Sequence, residues 1–267
     1  MVETVLQVKD LYKSFGNLEV LKGISFELRQ GQSLSIIGSS GSGKSTLLRC
    51  INFLEMPTSG DIYFESEKIE WNVKSLKEKI AFHKRTSQLR AQIGIVFQEF
   101  NLWPHQTVLE NIIEAPIHVK GVSKEEATEN AVALLKHYGL DDKKDAYPLT
   151  LSGGQKQRVA IIRSLAMKPK LILFDEVTSA LDPELTSEVL KAINMLAGEG
   201  MTMILVTHEI EFAKAASRQT IFIDQGVILE QGDSSELLNN PKEERTRAFL
   251  QKVLREEEQE KLERTSG

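Results

Sequence analysis

The sequence lacks the features that mark several classes of protein. Its single cysteine, Cys50, excludes an internal disulfide and a zinc site built on cysteines. No apolar run approaches the roughly 20 residues of a membrane-spanning helix, and no basic-then-apolar leader opens the chain. Lys and Arg number 33 against 38 Asp and Glu, which argues against nucleic acid as a partner because phosphate backbones attract clustered basic residues. With 41% hydrophobic residues among 267, we expect a soluble α/β protein of the cytoplasm.

Short apolar or β-branched runs, separated by turn residues, predict several strands and a late hairpin. The expected strands are Thr4–Val8, Val20–Leu28, Ser33–Ile37, Asp61–Phe64, Leu171–Phe174 and Met203–Val206, and the hairpin joins Ile221–Asp224 to Val227–Glu230. Residues 66–90 are polar and rich in lysine, which indicates a partly helical surface segment. Residues 255–263 predict a charged helix or a frayed end.

A glycine-rich segment directly follows the apolar strand Ser33–Ile37. It fits the phosphate-loop pattern, in which two glycines, a lysine and a hydroxyl stand at fixed spacing. Glycines let successive N–H groups turn inward around an anion, and the next helix adds the positive end of its dipole. We expect Lys44 to reach the β- and γ-phosphates of a nucleoside triphosphate and the Ser45 hydroxyl to ligate Mg²⁺. The segment reads Gly38, Ser39, Ser40, Gly41, Ser42, Gly43, Lys44 and Ser45.

Two adjacent carboxylates, Asp175 and Glu176, end the apolar strand Leu171–Phe174. A carboxylate at the carboxyl edge of a parallel sheet holds Mg²⁺ directly or through water, and this is the role that we assign to Asp175. Glu176 is the candidate for orienting or deprotonating the attacking water. Two carboxylates in an apolar setting are unfavourable unless a cation pairs with them, which favours a metal here.

A second helix start carries two glycines, Gly153 and Gly154. Ser152 and Gln155 flank them as a capping box for a helix that runs through Met167. Each glycine there lowers helix stability by about 1 kcal/mol relative to alanine. This loss is explained if the backbone N–H groups must approach another anion closely. The alternative is that this segment is only a helix start.

The order of these motifs resembles the ATP-binding subunits of ABC transporters from about Leu6 to Phe249. The resemblance also rests on Gln98 after Val96-Phe97, on Ser179-Ala180-Leu181-Asp182 and on His208. It implies an α/β fold with a P-loop NTPase-type core sheet, an N-terminal antiparallel β subdomain and an inserted helical subdomain. The implied bounds are one ABC ATPase domain over 1–250, with its core at 1–98 and 166–250 and its helical subdomain near 99–165, and a charged tail over 251–267.

Within that family the chain is most similar to the subunits of polar amino-acid importers. The stretches that carry this likeness are Asn101–His105, Thr107–Asn111, Ala115–Ile117 and Leu181–Leu185, together with the lysine-rich segment before Gln98. The implied function is ATP hydrolysis that powers uptake through membrane permease subunits, at the cytoplasmic face of the membrane and with a substrate-binding protein as an indirect partner. The alternatives are another small-solute cargo, a soluble ABC ATPase that acts in DNA repair or on ribosomes, and a regulatory module that binds ATP without turnover.

The resemblance also implies roles for individual residues in a head-to-tail dimer of two copies. Each ATP lies between the phosphate loop of one copy, Gly38–Thr46, and the signature segment of the other, whose expected contacts are Ser152, Gly153, Gly154 and Gln155. Phe15 is expected to stack on adenine, with Tyr12 as the alternative. The remaining expected roles are contact with Mg²⁺ or the attacking water for Gln98, contact with the γ-phosphate for His208, and action across the dimer, besides helix capping, for Asp182.

Two further expectations concern the surroundings of these residues. Val177 stands where the family usually has proline, so we expect a slightly looser turn after Glu176. The Glu99–Val119 region, with Trp103 and Pro104, is the candidate docking surface for the membrane subunits. The alternative for this region is a helical lid that packs only on its own domain.

Overall fold

A computed structural model describes residues 3–71 and 75–265, with side chains described up to residue 255. The chain divides into two compact units. The first unit combines Met1–Ile69 with Thr202–Gly267, and the second is Glu70–Met201. Among the described residues, no helix is both long enough and apolar enough to cross a membrane.

An antiparallel sheet forms the N-terminal part of the first unit. Its strand order is β2-β1-β4-β5, in which the strands are β1 (Thr4–Phe15), β2 (Leu18–Arg29), β4 (Ser59–Phe64) and β5 (Glu67–Lys68). Alternate positions of β2 are buried, as the two-residue period of a strand requires. The expected N-terminal antiparallel sheet is therefore present.

Parallel strands form the other half of the first unit. The central strand β3 (Ser33–Ile37) pairs in parallel with β8 (Met203–Val206) and with β9 (Gln219–Asp224). The edge strand β10 (Val227–Asp233) forms the expected hairpin with β9. The helices of this unit are α1 (Lys44–Ile51), α7 (Ile210–Ala216), α8 (Ser234–Asn239) and α9 (Glu244–Thr265). An apolar cluster joins the end of β3 to α7, α8 and α9 through Ile37, Ile210, Ala213, Phe222, Leu237, Leu238 and Leu250.

The second unit contains a parallel strand pair, five α-helices and two short 3₁₀ helices among its described residues. The strands are β6 (Ile93–Phe97) and β7 (Leu171–Asp175). The helices are α2 (Leu76–Arg90), α3 (Val108–Lys120), α4 (Lys124–His137), α5 (Gly153–Ala166) and α6 (Pro183–Gly198). Helices α3, α4 and α5 pack against one another, and α5 also packs on α6 and β6. Mixed α/β content with an antiparallel N-terminal sheet and parallel core strands agrees with the fold class expected from the sequence.

Five predicted strands differ from the observed ones by one to three residues at an end, and two predicted elements differ more. Strand β1 continues past Val8 to Phe15, because Asp10 adopts a left-handed backbone (φ 44°) and register shifts restore pairing with β2. Helix α9 spans residue 250, where the expected domain ends and the charged tail begins. Of the lysine-rich segment 66–90, residues 72–74 lie outside the described residues, and its helical part is α2.

Candidate nucleotide-binding site

The phosphate loop connects β3 to α1 and depends on glycine at defined positions. Gly38, Gly41 and Gly43 have φ values of 152°, 76° and 103°, which side chains rarely adopt. A Cβ on Gly38 would lie 2.1 Å from the carbonyl oxygen of Ile223, and one on Gly43 would lie 2.8 Å from Leu21 Cδ2. The first unit therefore requires glycine at Gly38 and Gly43, and positive φ values of this kind occur in the turns that expose successive N–H groups to an anion.

Lys44 and Ser42 lie inside this loop. Lys44 is 4% exposed, and its Nζ donates to the carbonyl oxygens of Gly38 (2.9 Å) and Ser39 (3.0 Å). The buried Ser42 Oγ has no hydrogen-bond partner. An unpartnered hydroxyl inside an anion-shaped loop fits a polar ligand such as a phosphate. The first turn of α1, which carries Ser45, contains no acidic residue to oppose that charge.

The two aromatic candidates for stacking on adenine have different surroundings. Phe15 is 46% exposed at the end of β1, and the Lys13 ammonium lies 4.3 Å from the centre of its ring. The Tyr12 side chain lies over Gly23, since a Cβ there would be 3.0 Å from the Tyr12 hydroxyl. Tyr12 is also exposed, at 38%, so the choice of Phe15 over Tyr12 as the adenine contact stays a prediction.

His208 and Gly38 follow neighbouring parallel strands at equivalent positions. Ile36 of β3 pairs with Val206 of β8, so Gly38 and His208 each lie two residues beyond that pair. The carboxyl ends of parallel strands meet at one edge of a sheet, where ligands bind in such folds. The half-buried His208 is therefore placed on the phosphate-loop side of the first unit.

Asp224 lies beside the phosphate loop, and sequence reasoning missed it. It ends β9, two residues beyond the pair of Ile37 and Phe222. Ser39 Oγ donates to Asp224 Oδ1 at 3.1 Å, and Arg245 of α9 forms an ion pair with Oδ2 at 2.6 Å. The only signal in the sequence was the hairpin turn that follows Asp224.

In the second unit, Gln98 and Glu176 follow a strand pair in the same way. Phe97 of β6 pairs with Asp175 of β7, so Gln98 and Glu176 directly follow the paired residues. Asp175 is 6% exposed, and Glu176 has a left-handed backbone (φ 49°), a strained conformation for a residue with a side chain. The buried Gln157 of α5 donates from Nε2 to the Phe97 carbonyl at 3.0 Å and so holds the backbone directly before Gln98.

The turn after Glu176 is closed by hydrogen bonds without the family's usual proline. Val177 is 5% exposed, and the Ser179 N–H donates to the Glu176 carbonyl at 3.1 Å. The expected difference in looseness stays a prediction. Asp182 caps α6 as expected, since Asp182 Oδ1 accepts from the Leu185 N–H at 3.1 Å.

The signature segment forms the expected capping box, but its glycines have a second explanation. Gln155 N–H donates to Ser152 Oγ at 3.2 Å, and Ser152 N–H donates to Gln155 Oε1 at 3.0 Å. A Cβ on Gly153 would lie 2.8 Å from Leu181 Cδ2, and one on Gly154 would lie 3.2 Å from Leu185 Cβ. Close packing against Leu181 and Leu185 therefore favours glycine at both positions within one copy, whether or not an anion approaches.

A metal ion at Asp175 would need ligands from water and substrate as well as from the protein. Among the residues that the structure describes, no group of three or more His, Cys, Asp or Glu side chains is placed to hold an ion. Mg²⁺ commonly takes one or two protein oxygens and completes its octahedron with water and substrate phosphates. A single carboxylate, such as Asp175 in the second unit, or a single hydroxyl, such as Ser45 in the first, therefore suits Mg²⁺ better than a metal that needs a full protein cage.

A groove of about 580 Å³ opens in the second unit beside α5. Its walls come from residues 98–102, Pro104, the pair Pro148 and Leu149, Lys156 and Ala180. Leu149 is 80% exposed, which is unusual for a large aliphatic side chain.

The loop that forms one wall of this groove is fixed by a buried amide and an arginine. Asn111 Nδ2 contacts the carbonyls of Trp103, Gln106 and Thr107 at 3.1, 3.2 and 2.9 Å, and its Oδ1 accepts from the Trp103 N–H at 2.8 Å. Arg163 donates to a neighbouring loop carbonyl at 2.8 Å and lies 5.3 Å from the Trp103 ring. Burial lowers the pKa of the Arg163 guanidinium. These contacts therefore hold the loop in a defined conformation.

Comparisons with known proteins agree with this geometry. A family profile described as "ABC transporter" matches residues 21–179. The chain is 51% identical over 257 residues to the histidine/lysine/arginine/ornithine transport ATP-binding protein HisP of Escherichia coli, covering 96% of this chain and 100% of that protein. It is 50% identical over 250 residues to the L-cystine import ATP-binding protein TcyC of Bacillus subtilis, covering 94% and 99%.

Two solved structures are similar over most of their length. The structure of cbiO1 from Clostridium perfringens, described as part of the ABC transporter complex cbiONQ, gives a TM-score of 0.77 at 31% identity and covers 89% of this chain and 92% of that one. A dimeric, post-hydrolysis structure of the ATP-binding cassette MJ0796 bound to ADP and Pi gives 0.73 at 34% identity, covering 86% and 98%.

Proposed function

Since the chain belongs to the ABC transporter family, in which it is an ATPase whose hydrolysis of ATP is coupled to transport, we propose that it powers the import of polar amino acids. The relatives named above are described as serving histidine, lysine, arginine, ornithine and L-cystine, all of which are polar amino acids. The observation that carries the proposal is the phosphate loop, where three left-handed glycines and buried Lys44 form an anion cradle at the end of β3.

The first unit supplies the groups that bind the nucleotide. Backbone N–H groups of Gly38–Thr46 and the Lys44 ammonium bind the phosphates, because the loop curls inward and its helix presents a positive dipole end. Phe15 stacks on adenine. His208 contacts the γ-phosphate from the end of β8, next to the strand that delivers the loop.

The second unit supplies the groups that promote hydrolysis. Asp175 would ligate Mg²⁺ and Gln98 would contact it, with the Ser45 hydroxyl of the first unit as the other proposed ligand, and the ion would neutralise charge that develops on the phosphates. Glu176 orients the attacking water and accepts its proton. Its left-handed backbone, at the end of β7, is the kind of strain that folds retain at functional positions.

Two copies of the chain cooperate in the proposed cycle. Each copy offers its signature segment, Ser152, Gly153, Gly154 and Gln155, to the γ-phosphate on its partner, and Asp182 acts across the dimer while it caps α6. The dimeric relative bound to ADP and Pi supports the pairing of two copies. ATP closes the pair because it binds both copies in the closed state, and hydrolysis with product release reopens it.

The groove in the second unit is the proposed docking surface for permease subunits, at the cytoplasmic face of the membrane. It lies within and beside the Glu99–Val119 region, and its exposed Leu149 adds apolar surface of the kind that protein interfaces cover. A substrate-binding protein acts indirectly, by delivering cargo to the permease. Import of a different small solute is the alternative, since this chain does not contact cargo.

Replacement of Glu176 by Gln tests the proposed mechanism. Phosphate release should fall on the order of 10²- to 10⁴-fold, the usual contribution of a general base, while ATP affinity stays near that of the wild type. Glu184→Gln, at an exposed position of α6, removes the same charge and should leave turnover unchanged. Unchanged phosphate release in Glu176→Gln would remove Glu176 from this role.

Reconstitution with permease subunits tests the proposed transport. Liposomes that contain the chain together with its permease subunits should take up amino acids in an ATP-dependent way. A rate of ATP hydrolysis that does not respond to the permease would favour a soluble ATPase.

A further inference from the structure

A buried carboxylate connects the phosphate loop to the C-terminal helix. The Asp224 side chain is 8% exposed. One of its oxygens accepts a hydrogen bond from Ser39 Oγ (3.1 Å), and the other lies 2.6 Å from Nη2 of Arg245. Ser39 is the second residue of the loop, so one side chain separates Asp224 from the proposed phosphate site.

The helix that carries Arg245 is firmly attached to the first unit. Glu230 of β10 accepts from the N–H groups of Lys242 and Glu243, at 2.8 and 3.2 Å, and so fixes the turn before α9. The Phe249 ring packs 5.2 Å from that of Phe222, and Leu250 is buried in the same cluster. The Arg245 guanidinium is therefore held near Asp224 although it is itself largely exposed.

Asp224 poses an electrostatic problem for a loop that binds phosphates. A negative charge one side chain from the loop repels a triphosphate, and burial weakens the screening of that repulsion by water. At the same time its hydrogen bond orients the Ser39 hydroxyl. An arginine against the other oxygen cancels the charge and leaves the hydrogen bond in place.

We propose that Arg245 sets the affinity of the phosphate loop for ATP by neutralising Asp224, so that the C-terminal helix is part of the nucleotide site. Both residues are positioning residues that act through Ser39 and the local field. The proposal rests on the phosphate loop being the ATP site. It makes ATP affinity responsive to anything that moves the start of α9.

Arg245→Gln is the central variant of the test, with Kd for Mg-ATP measured by calorimetry at low ionic strength. Kd should rise about five- to tenfold, a modest factor because Arg245 is exposed to solvent, and the difference should shrink in about 0.5 M salt. Arg247→Gln is the matched control, because Arg247 lies on the same helix and its guanidinium donates to the Pro241 carbonyl at 3.3 Å instead of pairing with Asp224. KM for ATP should rise in Arg245→Gln while kcat is retained.

The Asp224→Asn/Arg245→Gln double variant separates charge from structure. Asn keeps an acceptor for Ser39 and removes the repulsion, so the double variant should bind ATP nearly as well as the wild type. Arg245→Lys, which keeps the charge, should stay close to the wild type even if Arg245→Gln folds poorly. Equal Kd values for Arg245→Gln and Arg247→Gln, or a double variant as weak as Arg245→Gln, would overturn the proposal. Lys44→Ala distinguishes the failures: if it retains full ATP affinity, the phosphate-loop assignment itself is wrong.

Discussion

Asn111→Asp gives the sharpest structural test of the groove wall. Asn111 is fully buried and its amide nitrogen contacts three backbone carbonyls, while its oxygen accepts from the Trp103 N–H. Aspartate has nearly the same shape and keeps the acceptor. It replaces a two-hydrogen donor with an oxygen that faces those carbonyls, so the change removes the bonds without creating a cavity.

The expected loss of stability follows from these contacts. Two N–H donors serve three carbonyls, so the variant loses about two net hydrogen bonds and leaves buried acceptors unsatisfied. At about 1 kcal/mol for each bond and at least another 1 kcal/mol for the unsatisfied oxygens, the free energy of unfolding of the second unit should fall by about 3 kcal/mol. Even a protonated aspartic acid supplies only one O–H in place of the two donors.

Urea unfolding followed by tryptophan fluorescence measures this loss, because Trp103 belongs to the affected loop. Asn130→Asp, a partly exposed position of α4, is the matched control and should change stability by less than about 0.5 kcal/mol. ATP binding should persist in Asn111→Asp, whereas stimulation of turnover by the permease should drop. Equal stability of the two variants would refute the reasoning about the groove wall.

Three further perturbations test other parts of the molecule. Phe15→Ala should weaken ATP more than it weakens inorganic triphosphate in calorimetric titrations, and equal losses would point to Tyr12 as the adenine contact. Burial raises the pKa of Cys50 to about 12. The native thiol should therefore resist iodoacetamide at about pH 8 and react only after unfolding. Rapid labelling of the native protein would contradict the buried position of this thiol. The pKa of Glu230 is lowered below its ordinary value of 4.5. Partial burial by itself would raise this pKa, but the hydrogen bond from the Lys242 N–H and further hydrogen bonds to the carboxylate outweigh that effect. The ionised Glu230 therefore stabilises the folded protein above pH 4.5, and this stabilisation is lost as the pH falls through the folded-state pKa. Between about pH 5 and 3 the free energy of unfolding should fall less in Glu230→Gln than in the wild type. Parallel profiles of unfolding free energy against pH would contradict this.

Much of the candidate site was predictable because its chemistry is local in the sequence. The phosphate loop, the capping box of Ser152 and Gln155 and the Asp182 cap depend on neighbours within a few residues, and the capping geometry appears as expected. The sequence also predicted the end of β8 at Val206 and the end of β7 to within one residue, since buried parallel strands give short apolar runs.

The remaining features depend on pairing that no local pattern reveals. Asp224 and Ser39 are 185 positions apart in the sequence, and they come together only because β9 pairs with β3. The glycines of the signature segment were interpreted through anion binding, yet Gly153 also faces Leu181, and that contact exists only once α5 packs beside α6. Tertiary packing, rather than propensity, decided both cases.

Complementation between two inactive variants tests most directly whether ATP sites are completed by a second copy. Lys44→Ala removes the phosphate-binding group but keeps the signature segment, and Ser152→Arg blocks the exposed signature serine but keeps the phosphate loop. Each variant alone should release little phosphate. A 1:1 mixture should recover roughly a quarter of the wild-type rate, because about half of the dimers are mixed and each mixed dimer has one intact site of two. A mixture no more active than its components, together with full activity of Ser152→Arg alone, would contradict the shared-site mechanism.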